Sequence, residues 1–204
     1  MQARILAALV QGNTGRGTAE ILDLSKRTVA RNQLWIGEAC QRFHDKEVRH
    51  LKCTHLQADE AWSVCWAKDR NLPDHLRDHP EFGEMWTWMA KCPHTRLVVA
   101  WHVGKHTMSD CLEFAHDIAS RIPGRLQITT DQLAAYRMAF EEVFGSRLDY
   151  ATISKDMDTA RKTPDGQFEQ SEFIKNRKFS TLGNPDLSQA TTTTIESHSM
   201  MTRH

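Results

Sequence analysis

The pattern of apolar and polar residues divides the chain into a helical part and a part with strand periodicity. Up to Phe43 the apolar residues recur at helical spacing, and from Leu56 the period changes to two. Three helices are expected, one over residues 1–12, a short one from Thr18, and a longer one from Ser25. Residues 44–54 are charged and mark a boundary. We predict a helical module over 1–47 and a second domain over 55–204.

The second part predicts five strands and two intervening helices. The strands are expected at 55–67, 85–90, 96–103, 126–131 and 148–153, and the first helix is expected to be capped by Ser109. Three antiparallel strands, a helix, a parallel strand, a helix and another strand form the order of an α/β, RNase H-like domain. The polar residues 154–190 predict irregular structure, and 191–204 predict the beginning of a helix.

Composition and charge exclude several classes of protein. The 26 basic and 26 acidic residues cancel, so net charge does not favour nucleic acid as a partner. No run of 18 apolar residues and no signal-peptide cleavage pattern occur. The five cysteines contain no C-x-x-C pair, which favours reduced thiols in a cytoplasmic protein over a zinc finger. The eleven histidines are scattered, and a metalloprotease is disfavoured.

The second and third predicted helices have the sequence character of a helix-turn-helix. Ala19 and Val29 stand ten residues apart, as the inward-facing pair of that motif would, although Asp23 replaces the usual glycine in the turn. A plain helical hairpin is the alternative. Residues 1–50 contain eight Lys or Arg against five Asp or Glu. The candidate DNA-binding residues are Lys26, Arg27, Thr28 and Arg31.

Two aspartates suggest a metal site. Asp59 lies in the middle of the first strand, where a carboxylate is costly unless it is paired, and Asp131 ends the fourth strand. In the predicted fold these strands are neighbours, and two carboxylates side by side suit Mg²⁺ or Mn²⁺. A third carboxylate would allow two ions. The alternatives are that Asp131 is a turn or helix cap and that Asp59-Glu60 is solvated on an edge strand.

Several segments in the same order resemble bacterial insertion-sequence transposases with an Asp-Asp-Glu triad, and most of all the "insertion sequence one" type. The segments that carry the resemblance are Leu56–Ser63, Glu84–Trp88, Thr95–Lys105 and Leu126–Asp131, continued by Tyr136, Phe140–Ala151 and Gly183–Pro185. The resemblance covers nearly the whole chain, including the helix-turn-helix region.

The resemblance implies a DNA transposase that binds element ends and carries out metal-dependent strand cleavage and strand transfer. It assigns Asp59, Asp131 and Glu196 as catalytic metal ligands for two Mg²⁺ (or Mn²⁺) ions. It implies double-stranded DNA as partner, both terminal inverted repeats and target DNA, and a homodimer on that DNA.

The chain departs from the family pattern at three places. Gln132 stands where the family has Gly, Ser197 stands where it has Arg, and the basic helix that follows the Glu is cut at His204. We therefore expect a C-terminally truncated copy. A catalytically inactive remnant that acts only by binding DNA is the alternative.

Overall fold

The computed structural model describes residues 1–157 and 173–201. The chain forms two compact units, one containing Met1–Arg49 and the other His50–Ser199. Within the described residues, no helix has the length and apolar character needed to cross a membrane.

The first unit consists of three helices around a small apolar core. They are α1 (Gln2–Val10), α2 (Gly15–Ile21) and α3 (Lys26–Glu47). Ile5, Ala19 and Val29, one from each helix, are almost completely buried and form the core. The inward positions expected for Ala19 and Val29 are therefore observed.

The helix caps of this unit agree in part with those predicted from the sequence. The Ser25 hydroxyl oxygen accepts the Thr28 N–H at 3.0 Å, so Ser25 caps α3 as predicted. Helix α2 is capped by Thr14 rather than Thr18, because the Thr14 hydroxyl accepts the Gly17 N–H and Thr18 is buried. Asp23 takes a φ of +53° in the turn, a left-handed conformation that Asp tolerates better than most residues.

The second unit is a mixed α/β fold built on a six-stranded sheet. Its strands are β1 (His55–Cys65), β2 (Gly83–Lys91), β3 (Val98–Gly104), β4 (Leu126–Thr130), β5 (Leu148–Met157) and β6 (Phe173–Leu182). The spatial order is β3-β2-β1-β4-β5-β6. Strands β1 to β3 form an antiparallel meander, β4 pairs in parallel with β1, and β5 in parallel with β4.

The prediction of irregular structure over 154–190 is wrong where the sheet continues. β5 extends to Met157, and β6 pairs antiparallel with it. Side chains 175–180 are all exposed. The sequence of this edge strand therefore lacks the alternation of apolar and polar residues from which a strand could be predicted. The rest of that prediction falls partly on 158–172, outside the described residues.

Helices cover both faces of the sheet. α4 (Met108–Arg121) and α5 (Ala134–Phe144) lie on one face, where Trp88 of β2 contacts both Phe114 and Tyr136. α4 is capped by Thr107, two residues before the expected Ser109. α6 (Thr193–Met201) lies on the opposite face, because the Ile195 N–H donates to Gln57 Oε1 at 3.0 Å and Gln57 alternates with the core residues Leu56 and Ala58.

The fully buried Ile128 of β4 gives a test of this core. We expect Ile128→Ala to lower the free energy of unfolding by about 2–5 kcal/mol, since it leaves a cavity between sheet and helices. Urea unfolding followed by tryptophan fluorescence measures the change.

Val103→Ala is the matched control, because Val103 is 49% exposed on the edge strand β3. It should cost less than about 1 kcal/mol. Equal losses in the two variants would contradict the described packing.

Candidate active site

The two aspartates lie on or directly after neighbouring strands, because β1 pairs in parallel with β4. The register joins His55 to Gln127, Leu56 to Ile128 and Gln57 to Thr129. It ends two residues before Asp59, which is partly buried on β1, and two residues before Asp131, which follows β4. β1 is an interior strand between β2 and β4, although its pairing with β4 ends at Gln57.

Asp131 lies directly after β4 and has a structural role of its own. Its Oδ1 accepts the Leu133 N–H at 3.1 Å, which forms the turn into α5. Its carbonyl oxygen accepts the Thr130 hydroxyl at 2.6 Å, and Thr130 in turn contacts the Tyr150 hydroxyl at 2.7 Å. The turn-forming role considered for Asp131 is therefore observed, while its side chain stays exposed.

Glu196 lies on α6, over the face that carries Gln57 and Asp59. Its Oε1 forms an ion pair with Lys155 Nζ at 2.8 Å and also accepts the Thr192 hydroxyl. Partial burial acts to raise the pKa of Glu196, but the hydrogen bonds from Lys155 and Thr192 prevail and lower it. The Glu196 carboxylate is thus paired with Lys155 and is not grouped with Asp59 and Asp131.

The donor chemistry fits a divalent cation at two of the three expected positions. Asp59 and Asp131 offer the hard oxygen ligands that Mg²⁺ and Mn²⁺ take. Among the described residues, however, no three His, Cys, Asp or Glu side chains form a group that could hold a metal ion. With Glu196 turned to Lys155, the expected triad is not closed in this conformation.

A fourth carboxyl group, Glu60, lies on the other face of β1 and was missed as a site residue. Burial raises its pKa to about 7, helped by repulsion from Asp131 and Asp59 and opposed by the hydrogen bond from Tyr136. The Tyr136 hydroxyl donates to Glu60 Oε2 at 2.7 Å, and His106 Nε2 lies 3.7 Å from Oε1. In the sequence, the alternation that places Glu60 on the same strand face as Leu56 and Ala58 was the signal from which this buried carboxyl group could have been predicted.

The candidate DNA-binding residues all lie in the first two turns of α3. Lys26, Arg27 and Arg31 are exposed. Thr28 also stabilises the helix start, because its hydroxyl contacts the Ser25 hydroxyl at 2.8 Å. The three cations are therefore available to a ligand, whereas Thr28 is engaged within the helix cap.

Glu60 should make the unfolding free energy depend on pH. Its pKa is raised from 4.5 to about 7 in the folded chain, so the folded state retains a proton that the unfolded state releases. Stability should therefore fall as pH rises from about 4.5 to 7, by up to about 3 kcal/mol. Glu60→Gln should match the parent at pH 4 and exceed its unfolding free energy by about 1–3 kcal/mol at pH 8.

Urea unfolding at the two pH values measures this difference. Glu142→Gln, at an exposed position on α5, is the control. It should change the unfolding free energy by the same amount at pH 4 and at pH 8. A Glu60→Gln variant less stable than the parent at pH 8 would contradict the assignment.

The comparisons with known proteins give a distant structural likeness. No protein-family profile and no curated protein matches the chain. Among solved structures, the chain is similar to one described as "Mos1 transposase paired-end complex with left transposon end", with 15% sequence identity and a TM-score of 0.28. The match covers 70% of this chain and 56% of that one, so the chain spans about half the length of that protein. A likeness at this identity and TM-score does not determine function.

Proposed function

We propose that this chain is a DNA transposase that binds the ends of a mobile element and catalyses metal-dependent strand cleavage and strand transfer. The observation that carries the proposal is the parallel pairing of β1 with β4, because Asp59 and Asp131 each follow the Gln57–Thr129 pair by two residues. The ordered resemblance of the quoted segments to insertion-sequence transposases adds support. So does the observed order of strands and helices, which is the one expected for an RNase H-like domain.

In this proposal Asp59 and Asp131 hold Mg²⁺ or Mn²⁺ against a DNA phosphate. The chemistry supplied by bound metal is activation of the attacking oxygen and stabilisation of the leaving oxygen. The chain's own part is to fix the two carboxylates. The Leu133 N–H orients Asp131 through its side chain, and Thr130 and Tyr150 hold its main chain.

Glu196 is the third ligand in this proposal. The hydrogen bond from the Ile195 N–H to Gln57 Oε1 anchors α6 on β1, the strand that carries Asp59, and Glu196 must exchange Lys155 for the metal to act as a ligand. When Glu196 leaves Lys155, the Lys155 ammonium is freed on the same face of the sheet. A DNA phosphate is a suitable new partner for that cation.

The first unit is proposed to bind double-stranded DNA as a helix-turn-helix, with α3 as the recognition helix. Lys26, Arg27 and Arg31 project from its first two turns, where such a helix meets phosphates and base edges. Terminal inverted repeats and target DNA are the proposed partners. A homodimer would bring two element ends together.

A second candidate function is DNA binding without catalysis. The ion pair between Glu196 and Lys155 favours it, because a carboxylate satisfied by lysine does not close a metal site. Both candidate functions use α3 to bind DNA, and they differ only in whether the carboxylates hold a metal ion. Cleavage and binding are therefore measured separately.

Cleavage of a labelled duplex, made from the DNA that flanks the coding sequence, tests the carboxylates. With Mg²⁺ or Mn²⁺ we expect Asp59→Asn and Asp131→Asn each to lower the cleavage rate by at least about 100-fold, since each removes a ligand that stabilises transition-state charge. Duplex affinity should be unchanged.

Asp156→Asn is the matched control, because Asp156 is an aspartate of β5 paired with Arg177 at 2.6 Å. It should cleave at the parent rate. Cleavage that survives Asp59→Asn would refute the metal site, and repeat binding with no cleavage by the parent would support the second candidate.

Binding of the same duplex tests α3. Arg27→Ala and Arg31→Ala should each weaken affinity and reduce the salt dependence of binding by about one counterion, because each removes a phosphate contact. Fluorescence anisotropy at several salt concentrations measures both quantities.

Arg42→Ala is the control on the same helix, since Arg42 lies near the far end of α3 and pairs with Glu38 at 3.8 Å. It should leave affinity and salt dependence unchanged. Equal effects of all three substitutions would indicate attraction by general charge rather than by the start of α3.

A further inference from the structure

Two cysteines from separate strands meet at one end of the sheet. Cys53 lies just before β1 and Cys92 just after β2. The Cys53 thiol donates to the His55 carbonyl at 3.0 Å, and its sulfur is also hydrogen-bonded to that of Cys92. Both line a cavity of about 320 Å³, together with His94 and Thr95. Lys91 pairs with Gln57, so Cys92 lies just past the end of the ladder, about three strand residues or roughly 10 Å from the level of Asp59.

The sulfur of Cys92 sits in a turn that surrounds it with donors. The Arg96 N–H donates to the Cys92 carbonyl at 2.8 Å and closes this turn, which brings the donors of His94 and Thr95 near the sulfur, with the Cys53 thiol also close by. Burial acts to raise the pKa of Cys92, but these donors prevail and lower it. A sulfur with several donors is suited to carry negative charge, and the thiolate is the reactive form of cysteine.

Cys53 has the opposite character. Burial raises its pKa to about 12, and its hydrogen bond to Cys92 adds to the shift. It therefore stays a thiol, and its S–H donates to the His55 carbonyl. Cys111 offers a comparison within the same unit, because it is completely buried and its pKa is also raised to about 12, chiefly by burial. Cys92 is only 4% exposed, but it lines the cavity together with Cys53, whereas Cys111 does not line that cavity.

We propose that Cys92 and Cys53 form a redox-active pair, in which a small peroxide entering the cavity oxidises Cys92 and Cys53 then closes a disulfide. In the first step the Cys92 thiolate attacks one peroxide oxygen and the O–O bond breaks. With one proton taken up, this gives a sulfenic acid and releases water or an alcohol. In the second step the Cys53 sulfur attacks the Cys92 sulfur, and the hydroxyl leaves with the Cys53 proton as water. Two electrons pass from the thiols to the peroxide.

The disulfide would join the beginning of β1 to the end of β2. These two strands pair antiparallel from Gln57–Lys91 to Cys65–Gly83, so the bond would close the open end of their ladder. The change is reversible by thiol reductants. The inference does not depend on the proposed transposase function, because it rests on the cavity and the two sulfurs alone.

Peroxide titration of the full reduced chain tests the pair. After limiting hydrogen peroxide, free thiols are blocked with iodoacetamide, and the digest is analysed by mass spectrometry. We expect a linked peptide pair containing Cys53 and Cys92, two hydrogens lighter than the reduced peptides and separated by dithiothreitol. Cys92 should be oxidised about tenfold faster than the exposed Cys40 and Cys65.

Three variants separate the roles of the residues. Cys53→Ser should leave a Cys92 sulfenic acid that dimedone traps. Thr95→Val should slow the oxidation of Cys92 several-fold while the unfolding temperature stays the same, because it removes one donor to the sulfur. Cys65→Ser, at an exposed position on β1, should change neither rate nor product.

Three results would overturn the proposal. The first is oxidation of Cys92 no faster than that of Cys40, Cys65 or the core Cys111. The second is a Cys53–Cys92 link that forms only in urea. The third is a metal ion retained by the two sulfurs, seen as added mass in native mass spectrometry and removed by a chelator.

Discussion

Parallel pairing of β1 with β4 is the constraint on which the candidate site depends. The pairing of Gln57 with Thr129 aligns the two strands, and Asp59 and Asp131 each follow that pair by two residues. The pairing is itself fixed by burial, because Leu56 and Ile128, also matched, are covered by α4 and α5 in the core. A one-residue slip would expose both apolar residues and separate the two aspartates.

The same strand carries charge on both of its faces. Asp59 faces the side of α6, whereas Glu60 is buried towards α5 and is tied to Tyr136. Burial is the main cause of the raised pKa of Glu60, and repulsion from Asp131 and Asp59 adds to it. Partial protonation of Glu60 near neutral pH reduces the negative charge at the centre of the sheet. The hydrogen bond from Tyr136 keeps that carboxyl in place in either protonation state.

The sequence predicted most helices and strands that bury one face and expose the other. Alternation along Leu56, Ala58 and Glu60 gave the strand and its core face, and the helical spacing of Ala19 and Val29 gave the inward face of the first unit. It missed β6, because an exposed edge strand is ordered by main-chain bonds to β5 that leave no pattern in residues 175–180. It also missed the partners of Glu196, since a contact with Lys155 spans 41 residues and depends on where α6 packs.

The position of Glu196 decides between the two functions proposed for the chain. Ile195 and Gln57 already hold α6 on the correct face, so the distinction lies in one side chain and in the partner it takes. An ion pair with side chains about half and one-third exposed, such as Lys155–Glu196, is worth little in free energy, because water screens the charges and both side chains lose freedom. A divalent cation held by two aspartates would attract the Glu196 carboxylate more strongly than a single ammonium does. The ion pair is therefore a weak barrier to the closed triad that the proposed transposase requires.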